Sequence, residues 1–145
     1  MRRSLKKIAI LGSTGSIGRQ CLNVVESLGG ERLQVVALAA GKSIEQLAEQ
    51  TARHRPGLVA VADAAGASEL RERLRAAKVE PLPEIQHGAA GLRAVGTHPD
   101  AEMVVSAAVG VVGLEATYEA IRSGKSVALS NKEVQIGRAS CRERV

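Results

Sequence analysis

The chain has 145 residues, a formal net charge of +5, 45% hydrophobic residues and a single aromatic residue, Tyr118. That length corresponds to about one domain, and the apolar content allows an aliphatic core of ordinary size. The charge alone would permit nucleic-acid binding, but a chain without Phe or Trp lacks the aromatic platforms on which single-stranded nucleic acid stacks. The last eleven residues also hold three of its arginines. We therefore expect no nucleic-acid partner.

The N-terminal segment and the cysteines indicate where in the cell the protein is located. The apolar run Ile8–Leu11 behind the basic start is shorter than the ~7–15 residues of a signal-peptide core, and no stretch is long enough to span a membrane. Cys21 and Cys141 are too few for a disulfide framework and lack zinc-ligand spacing. These features predict a cytoplasmic protein with no membrane partner.

Short apolar runs alternate with amphipathic segments along the chain. The strands predicted from these runs are Lys7–Leu11, Leu33–Ala40, Leu58–Ala62, Met103–Val109 and Ser126–Ser130. Helices are predicted at Ile17–Leu28, Ile44–His54 after an N-cap at Ser43, Ser68–Ala77 with Leu70 and Leu74 inward, and Leu114–Arg122. In the first helix, the predicted inward residues are Ile17, Cys21, Leu22, Val24, Val25 and Leu28. Between Val79 and Asp100, several prolines and glycines predict a loop with a short helix near Ala89–Val95.

Strands that alternate with helices predict right-handed βαβ units. The runs are nearly continuous in apolar residues, as in parallel strands that are covered on both faces. The expected fold is therefore one Rossmann-like α/β domain with a doubly wound, mostly parallel sheet.

The segment "GSTGSIG" follows the first strand and opens the first helix. Gly12 suits a tight turn, Gly15 allows close approach of a pyrophosphate, and Gly18 allows the helix to pack on the strand. The helix N-terminus offers N–H groups to a phosphate, and Thr14 and Ser16 add hydroxyls. No Walker lysine follows, which argues against a P-loop. A glycine-rich turn without a ligand is the alternative interpretation.

The end of the second strand indicates which dinucleotide is bound. NAD-binding domains usually place a carboxylate there, but this strand ends "ALAAGKS", with Lys42 and Ser43 instead. Because a lysine attracts a 2′-phosphate and a carboxylate repels it, we infer NADP(H) rather than NAD(H). The alternative is that Lys42 is only a solvated residue before a helix.

Further along, Ala107, Ala108 and Gly110 follow the strand that begins at Met103. These small residues line either a cofactor path or a tight helix–strand contact, and the sequence favours neither. His54, His87 and His98 lack ligand spacing and are predicted at the surface or in loops. Three polar residues, Asn131, Lys132 and Glu133, directly follow the last predicted strand. A solvated helix start would also explain them.

Taken together, "AILGSTGSIG", "VVALAAGKS", "AAVGVVGL", "AIRSGKSVAL" and "SNKE" resemble the 1-deoxy-D-xylulose 5-phosphate reductoisomerase family in order and spacing, from about Lys7 to Glu133. The resemblance implies an NADPH-dependent enzyme of the non-mevalonate isoprenoid route, with a Mg or Mn ion and usually a homodimer. By matching position, it assigns NADPH binding to Thr14, Gly15, Ser16, Ile17, Gly41, Lys42, Ser43, Asn131 and Glu133. It assigns the sugar-phosphate substrate to Lys132. Family members often carry Asn where this chain has Ser43.

The resemblance stops after Val134. We expect residues 1–134 to form the NADPH-binding domain and 135–145 to be a tail foreign to the family. The chain contains neither the family's acidic metal ligands nor a catalytic residue that we can assign, so as an N-terminal fragment it should be inactive. Two alternatives stay open: an NADP(H)-sensing module without catalysis, and an NADP-dependent dehydrogenase of the semialdehyde or amino-acid type.

Overall fold

The computed structural model of the chain describes residues 5–28, 32–107 and 110–129. Within these ranges, no helix is both long enough and apolar enough to cross a membrane.

Six strands and five helices alternate along this part of the chain. The strands are β1 (Lys6–Leu11), β2 (Leu33–Ala39), β3 (Leu58–Val61), β4 (Glu84–His87), β5 (Met103–Ser106) and β6 (Ser126–Leu129). The helices are α1 (Ser16–Ser27), α2 (Ile44–His54), α3 (Ala64–Ala76), α4 (Gly88–Gly96) and α5 (Gly110–Arg122).

The strands form one sheet in the order β4-β3-β2-β1-β5-β6, and every pairing is parallel. The chain first adds strands outward from β1 to β4 and then returns to place β5 on the other side of β1. The strand order therefore reverses between β1 and β5. In a doubly wound sheet, the carboxyl edge at such a reversal is where ligands bind.

Two apolar clusters cover the two faces of the sheet, because successive strand residues point to opposite sides. On one face, Ile8 and Ile10 pack with residues of α1, α2 and α3. On the other, Ala9 and Leu11 pack with residues of α4 and α5. The predicted α/β fold with a doubly wound parallel sheet is confirmed.

Helices α1 and α3 depart from the prediction in detail, and α5 begins at Gly110 and not at the predicted Leu114. In α1, the buried residues are Gly18, Leu22 and Val25, whereas Ile17, Val24 and Leu28 are exposed. Helix α3 begins earlier than predicted, because the Asp63 carboxylate accepts the Gly66 N–H at 2.8 Å and caps the helix. Its predicted inward residues, Leu70 and Leu74, are fully buried.

The prediction of a loop before the fourth helix missed a strand. Residues Glu84–His87 form β4, which pairs with β3 at the edge of the sheet. The predicted short helix is present as α4. Its residue Gly91 faces the sheet, where an added Cβ would be 3.1 Å from Gln86 and 3.2 Å from Ala60. Because α4 lies so close to the sheet, it can pack across the small residues of β3, β2 and β1. The chain thereby returns from β4 to β5 on the other side of β1.

Candidate functional site

The glycine loop leaves the carboxyl end of β1 and enters α1. Gly12 has a φ of +87°, a left-handed conformation that favours glycine. At Gly18, an added Cβ would clash with the Gly12 carbonyl oxygen and lie 2.7 Å from Ser13 Cα. At Gly15, the nearest heavy atom to an added Cβ is the Gly12 oxygen at 3.6 Å, an ordinary contact. The protein itself thus requires glycine at positions 12 and 18, while position 15 is open on its outer side.

Backbone hydrogen bonds tie this loop to the end of β2. The N–H groups of Gly12 and Ser13 both donate to the Ala39 carbonyl oxygen, at 2.8 and 2.9 Å. One residue beyond Ala39, the chain reaches the exposed residues Gly41, Lys42 and Ser43. The two segments that the sequence assigned to one cofactor are therefore joined at the same edge of the sheet.

The first turn of α1 has open N–H groups. Gly15 is the N-cap residue, and it has no side chain with which to cap the helix. Within residues 5–28, 32–107 and 110–129, the N–H groups of Thr14, Ser16 and Ile17 have no hydrogen-bond acceptor. Together with the partial positive charge of a helix N-terminus, they can bind an anion such as a phosphate. Thr14 is half-buried, and Gly15, Ser16 and Ile17 are exposed.

The end of β5 lies beside this loop across the strand-order reversal. The Ala107 N–H donates to the Leu11 carbonyl oxygen at 2.8 Å, so β5 ends level with β1. Below it, the Ser106 and Thr117 hydroxyls are 2.6 Å apart and fully buried, which joins β5 to α5. Ala108 lies outside the described residues, and whether Ala107 and Gly110 line a cofactor path stays a prediction.

Sequence analysis missed Gln50, which lies on the side of α2 that faces the glycine loop. Its Nε2 donates to the Ser13 carbonyl oxygen at 2.9 Å. The available signal was its position: Gln50 is a polar residue between the buried residues Leu47 and Thr51 of an amphipathic helix. A polar side chain at the border of an apolar stripe is in position to contact a neighbouring backbone.

His54 is the one predicted surface histidine that the structure places differently. Its side chain is only 8% exposed, and Nε2 is 3.1 Å from Glu26 Oε2 on α1. Arg53 contacts the same carboxylate at 3.3 Å. Burial lowers the pKa of His54, an effect that Glu26 opposes and Arg53 reinforces. These residues lie in a groove of about 330 Å³ between α1 and α2, of mixed charge.

Other predicted site residues lie outside the described part of the chain, namely Asn131, Lys132 and Glu133. Among the residues that the structure does describe, no cluster of three or more His, Cys, Asp or Glu side chains could hold a metal ion. The described residues therefore show no site for the divalent metal that the resemblance implies. Cys21 is half-buried, and burial raises the pKa of its thiol, which opposes a role as nucleophile.

These features, with the glycine loop and Lys42 at the reversal of a parallel sheet, define a doubly wound α/β domain of the Rossmann type. A family model described as 1-deoxy-D-xylulose 5-phosphate reductoisomerase matches residues 8–137. The chain belongs to this family.

Individual relatives agree. The 1-deoxy-D-xylulose 5-phosphate reductoisomerase of Symbiobacterium thermophilum is 50% identical over 131 residues, which are 90% of this chain and 34% of the relative. The solved reductoisomerase from Zymomonas mobilis, in complex with NADPH, has a TM-score of 0.83 and 34% identity, covering 97% of this chain and 37% of that one. A DOX-P reductoisomerase solved with NADPH, fosmidomycin and magnesium has a TM-score of 0.84 and 26% identity over 96% of this chain and 34% of that one. The chain thus spans about a third of the length of these relatives.

Proposed function

We propose that this chain is the NADPH-binding part of a 1-deoxy-D-xylulose 5-phosphate reductoisomerase. The whole enzyme would isomerise that sugar phosphate and reduce the product with NADPH to 2-C-methyl-D-erythritol 4-phosphate, for isoprenoid precursors. The observation that carries the proposal is the attachment of the glycine loop to the end of β2, which brings the open N–H groups and Lys42 to one edge of the sheet. Family membership and the relatives solved with NADPH support it.

Each segment has a distinct part in holding the cofactor. The N–H groups of Thr14, Ser16 and Ile17 and the nearby hydroxyls would bind the pyrophosphate, while Gly15 leaves room for it. The Lys42 ammonium would pair with the 2′-phosphate, with Gly41 and Ser43 at the adenosine end. When bound, NADPH supplies the hydride for the reduction.

The remaining assignments continue the proposal beyond the described residues. Asn131 and Glu133 would contact NADPH, and Lys132 would contact the sugar phosphate, where a compact cation suits a phosphate or a developing enolate oxygen. The Mg or Mn ion and the homodimer contacts would belong to the two thirds of the relatives' length that this chain does not span. We place the enzyme in the cytoplasm.

Cofactor selectivity tests the proposal most directly. Lys42→Asp removes the cation and adds a carboxylate, so NADPH affinity should fall about 10- to 100-fold while NADH affinity changes little. Isothermal titration calorimetry of both nucleotides measures this. Lys78→Asp is the matched control, because it makes the same charge change at an exposed residue between α3 and β4, remote from the loop. Equal loss of both nucleotides, or no loss, would contradict the assignment of Lys42.

Turnover separates a fragment from a complete enzyme. With 1-deoxy-D-xylulose 5-phosphate, Mg²⁺ or Mn²⁺ and NADPH, the 145-residue chain should show no NADPH oxidation above background, followed at 340 nm. A measurable rate would overturn the view that the metal and the rest of the substrate pocket lie elsewhere in the family's sequence. The sensing-module alternative predicts nucleotide affinity with no response to the sugar phosphate, whereas the reductoisomerase proposal predicts that Lys132→Ala weakens the sugar phosphate alone.

A further inference from the structure

Ser13 is held by hydrogen bonds on both of its peptide groups: its N–H lies in the Gly12–Ser13 unit and its carbonyl in the Ser13–Thr14 unit. Ser13 is completely buried, and its N–H donates to the Ala39 carbonyl oxygen at 2.9 Å. On the other side, its carbonyl oxygen accepts the Gln50 Nε2–H at 2.9 Å. Strand β2 and helix α2 therefore fix this residue together, and among the described residues Gln50 is the only side chain that donates a hydrogen bond to the loop backbone between Gly12 and Thr14.

Peptide planarity carries this restraint to the next residue. The Ser13–Thr14 bond is trans, and in a planar trans peptide the C=O and the following N–H point in opposite directions. A carbonyl that points toward α2 thus directs the Thr14 N–H away from α2. That N–H has no acceptor within the described residues, and it is one of the groups proposed to bind the pyrophosphate.

The oxygen of the Gln50 side-chain amide indicates that stabilising the fold is not the main role of this residue. Its Oε1 is buried without a hydrogen-bond donor among the described residues, as is Ser13 Oγ. A buried acceptor without a partner opposes folding, so it offsets much of what the Nε2 hydrogen bond contributes. The side chain cannot improve this by turning over, since Oε1 would then face the Ser13 carbonyl oxygen, acceptor against acceptor.

We propose that Gln50 is a positioning residue, which orients the glycine loop so that the Thr14 N–H is presented to the cofactor phosphates. This inference rests on the proposed function and adds to it a residue of α2 that would not itself touch NADPH. It acts on the pyrophosphate loop and not on the 2′-phosphate, so it should affect NADPH and NADH alike. That common effect distinguishes it from Lys42.

The experiment compares matched variants of the full 145-residue chain. Gln50→Ala removes the donor, and Gln50→Glu replaces it with an acceptor of the same shape. Gln46→Ala and Gln46→Glu make the same changes one turn earlier on α2, at an exposed residue without a hydrogen bond to the loop. For each variant, calorimetry gives the Kd of NADPH and of NADH, and thermal unfolding gives Tm.

We expect both Gln50 variants to weaken NADPH and NADH by about tenfold, with the NADPH-to-NADH ratio unchanged. Gln50→Ala should keep Tm within the range of the Gln46 variants, whereas Gln50→Glu should also lower Tm, because it buries an acceptor opposite the Ser13 carbonyl oxygen. Unchanged affinities would overturn the proposal. So would a fall in Tm at unchanged affinity, because that would make Gln50 merely structural. A loss confined to NADPH would also overturn it, since the effect would then lie at the 2′-phosphate.

A second readout needs no cofactor. The ¹⁵N–{¹H} nuclear Overhauser effects of Thr14 and Gly15 report the order of the loop in the nucleotide-free chain. They should decrease in the Gln50 variants and stay constant in the Gln46 variants; equal values would overturn the proposal. If the unsubstituted chain does not bind NADPH, the proposed function fails, and these relaxation values still decide whether Gln50 orders the loop.

Discussion

The three glycines of the loop differ in what they must accommodate. Gly18 faces the backbone of Gly12 and Ser13 at distances that no Cβ could tolerate. A Cβ at Gly15 would make only an ordinary contact of 3.6 Å, and the φ of −78° and ψ of 176° there are values that any residue adopts. Folding therefore requires glycine at position 18, whereas a ligand would require it at position 15. Substitution by alanine can separate the two.

Gly18→Ala should destabilise the chain by about 1–3 kcal/mol, because the contacted atoms are backbone and cannot give way cheaply. Gly15→Ala should change stability by less than about 0.5 kcal/mol and yet weaken NADPH at least about tenfold, since its methyl group would occupy the proposed phosphate position. Urea unfolding and calorimetry measure the two effects. If Gly15→Ala bound NADPH normally, the phosphates would have to lie elsewhere.

Gly18 also explains why the sequence prediction for α1 was partly wrong. At 3.6 residues per turn, Ile17, Val24 and Leu28 share one stripe, and Gly18, Leu22 and Val25 share another about 100° away. Both stripes are largely apolar, so periodicity alone did not choose between them. The requirement that Gly18 face the loop after β1 does choose between them. It turns Ile17 and Val24 to the surface, where they are 44% and 54% exposed.

Helices α1 and α2 are joined by a contact that should depend on pH. The pKa of His54 is lowered by burial below its ordinary value near 6.5. As the pH falls through that value, the unfolded chain therefore binds a proton more readily than the folded chain. The free energy of unfolding should therefore be highest above about pH 6.5. It should decrease as the pH falls toward and through the pKa of His54 in the folded chain.

Glu26→Gln tests this contact, because Glu26 raises the pKa of His54 through its charge and a hydrogen bond. Without the carboxylate, the pKa of His54 should fall further, and the loss of stability between pH 7.5 and 5.5 should grow. NMR titration of the imidazole and urea unfolding at the two pH values measure both. A His54 pKa at or above 6.5 in the folded, unsubstituted chain would refute the argument.

Helix α5 is attached to β5 by buried hydroxyl groups. Thr117 Oγ1 donates to the Gly113 carbonyl oxygen at 2.8 Å and lies 2.6 Å from Ser106 Oγ. Thr117→Val keeps the shape and removes these hydrogen bonds, so it should cost about 1–3 kcal/mol. Ser123→Ala, which removes an equivalent bond to the Glu119 carbonyl oxygen at an exposed position directly after the same helix, should cost less than about 0.5 kcal/mol. Equal effects in urea unfolding would show that burial does not matter here.

The elements that the sequence predicted well have a clear local signal. The strands β1, β2 and β3 were identified from nearly continuous apolar runs, and Leu70 and Leu74 of α3 from their helical spacing. The edge strand β4 was not, because "EIQH" is short, half-exposed and placed among prolines and glycines. Only its pairing with β3 makes it a strand, and pairing between distant segments leaves no trace in local composition.

At the scale of the whole molecule, the sheet places its chemistry at one edge. All described strands are parallel, so their carboxyl ends share that edge, and the order reversal puts the ends of β1 and β5 side by side. Residue types predicted the glycine loop and Lys42 separately. Their attachment through Ala39, and the role of Gln50, depend on how β2 and α2 lie against the loop, which only the folded chain shows.

This arrangement predicts where a bound nucleotide protects the backbone. In hydrogen–deuterium exchange with saturating NADPH, protection should appear in residues 12–18 and 41–43. The opposite edge of the sheet, where β1, β4 and β5 begin, should not change, because a ligand at the carboxyl ends is a strand's length away. The groove between α1 and α2 provides the internal check, since no residue of the glycine loop lines it. Protection of Asn23 and Glu49 in that groove, without protection of the glycine loop, would move the binding site away from the sheet edge and contradict the proposed function.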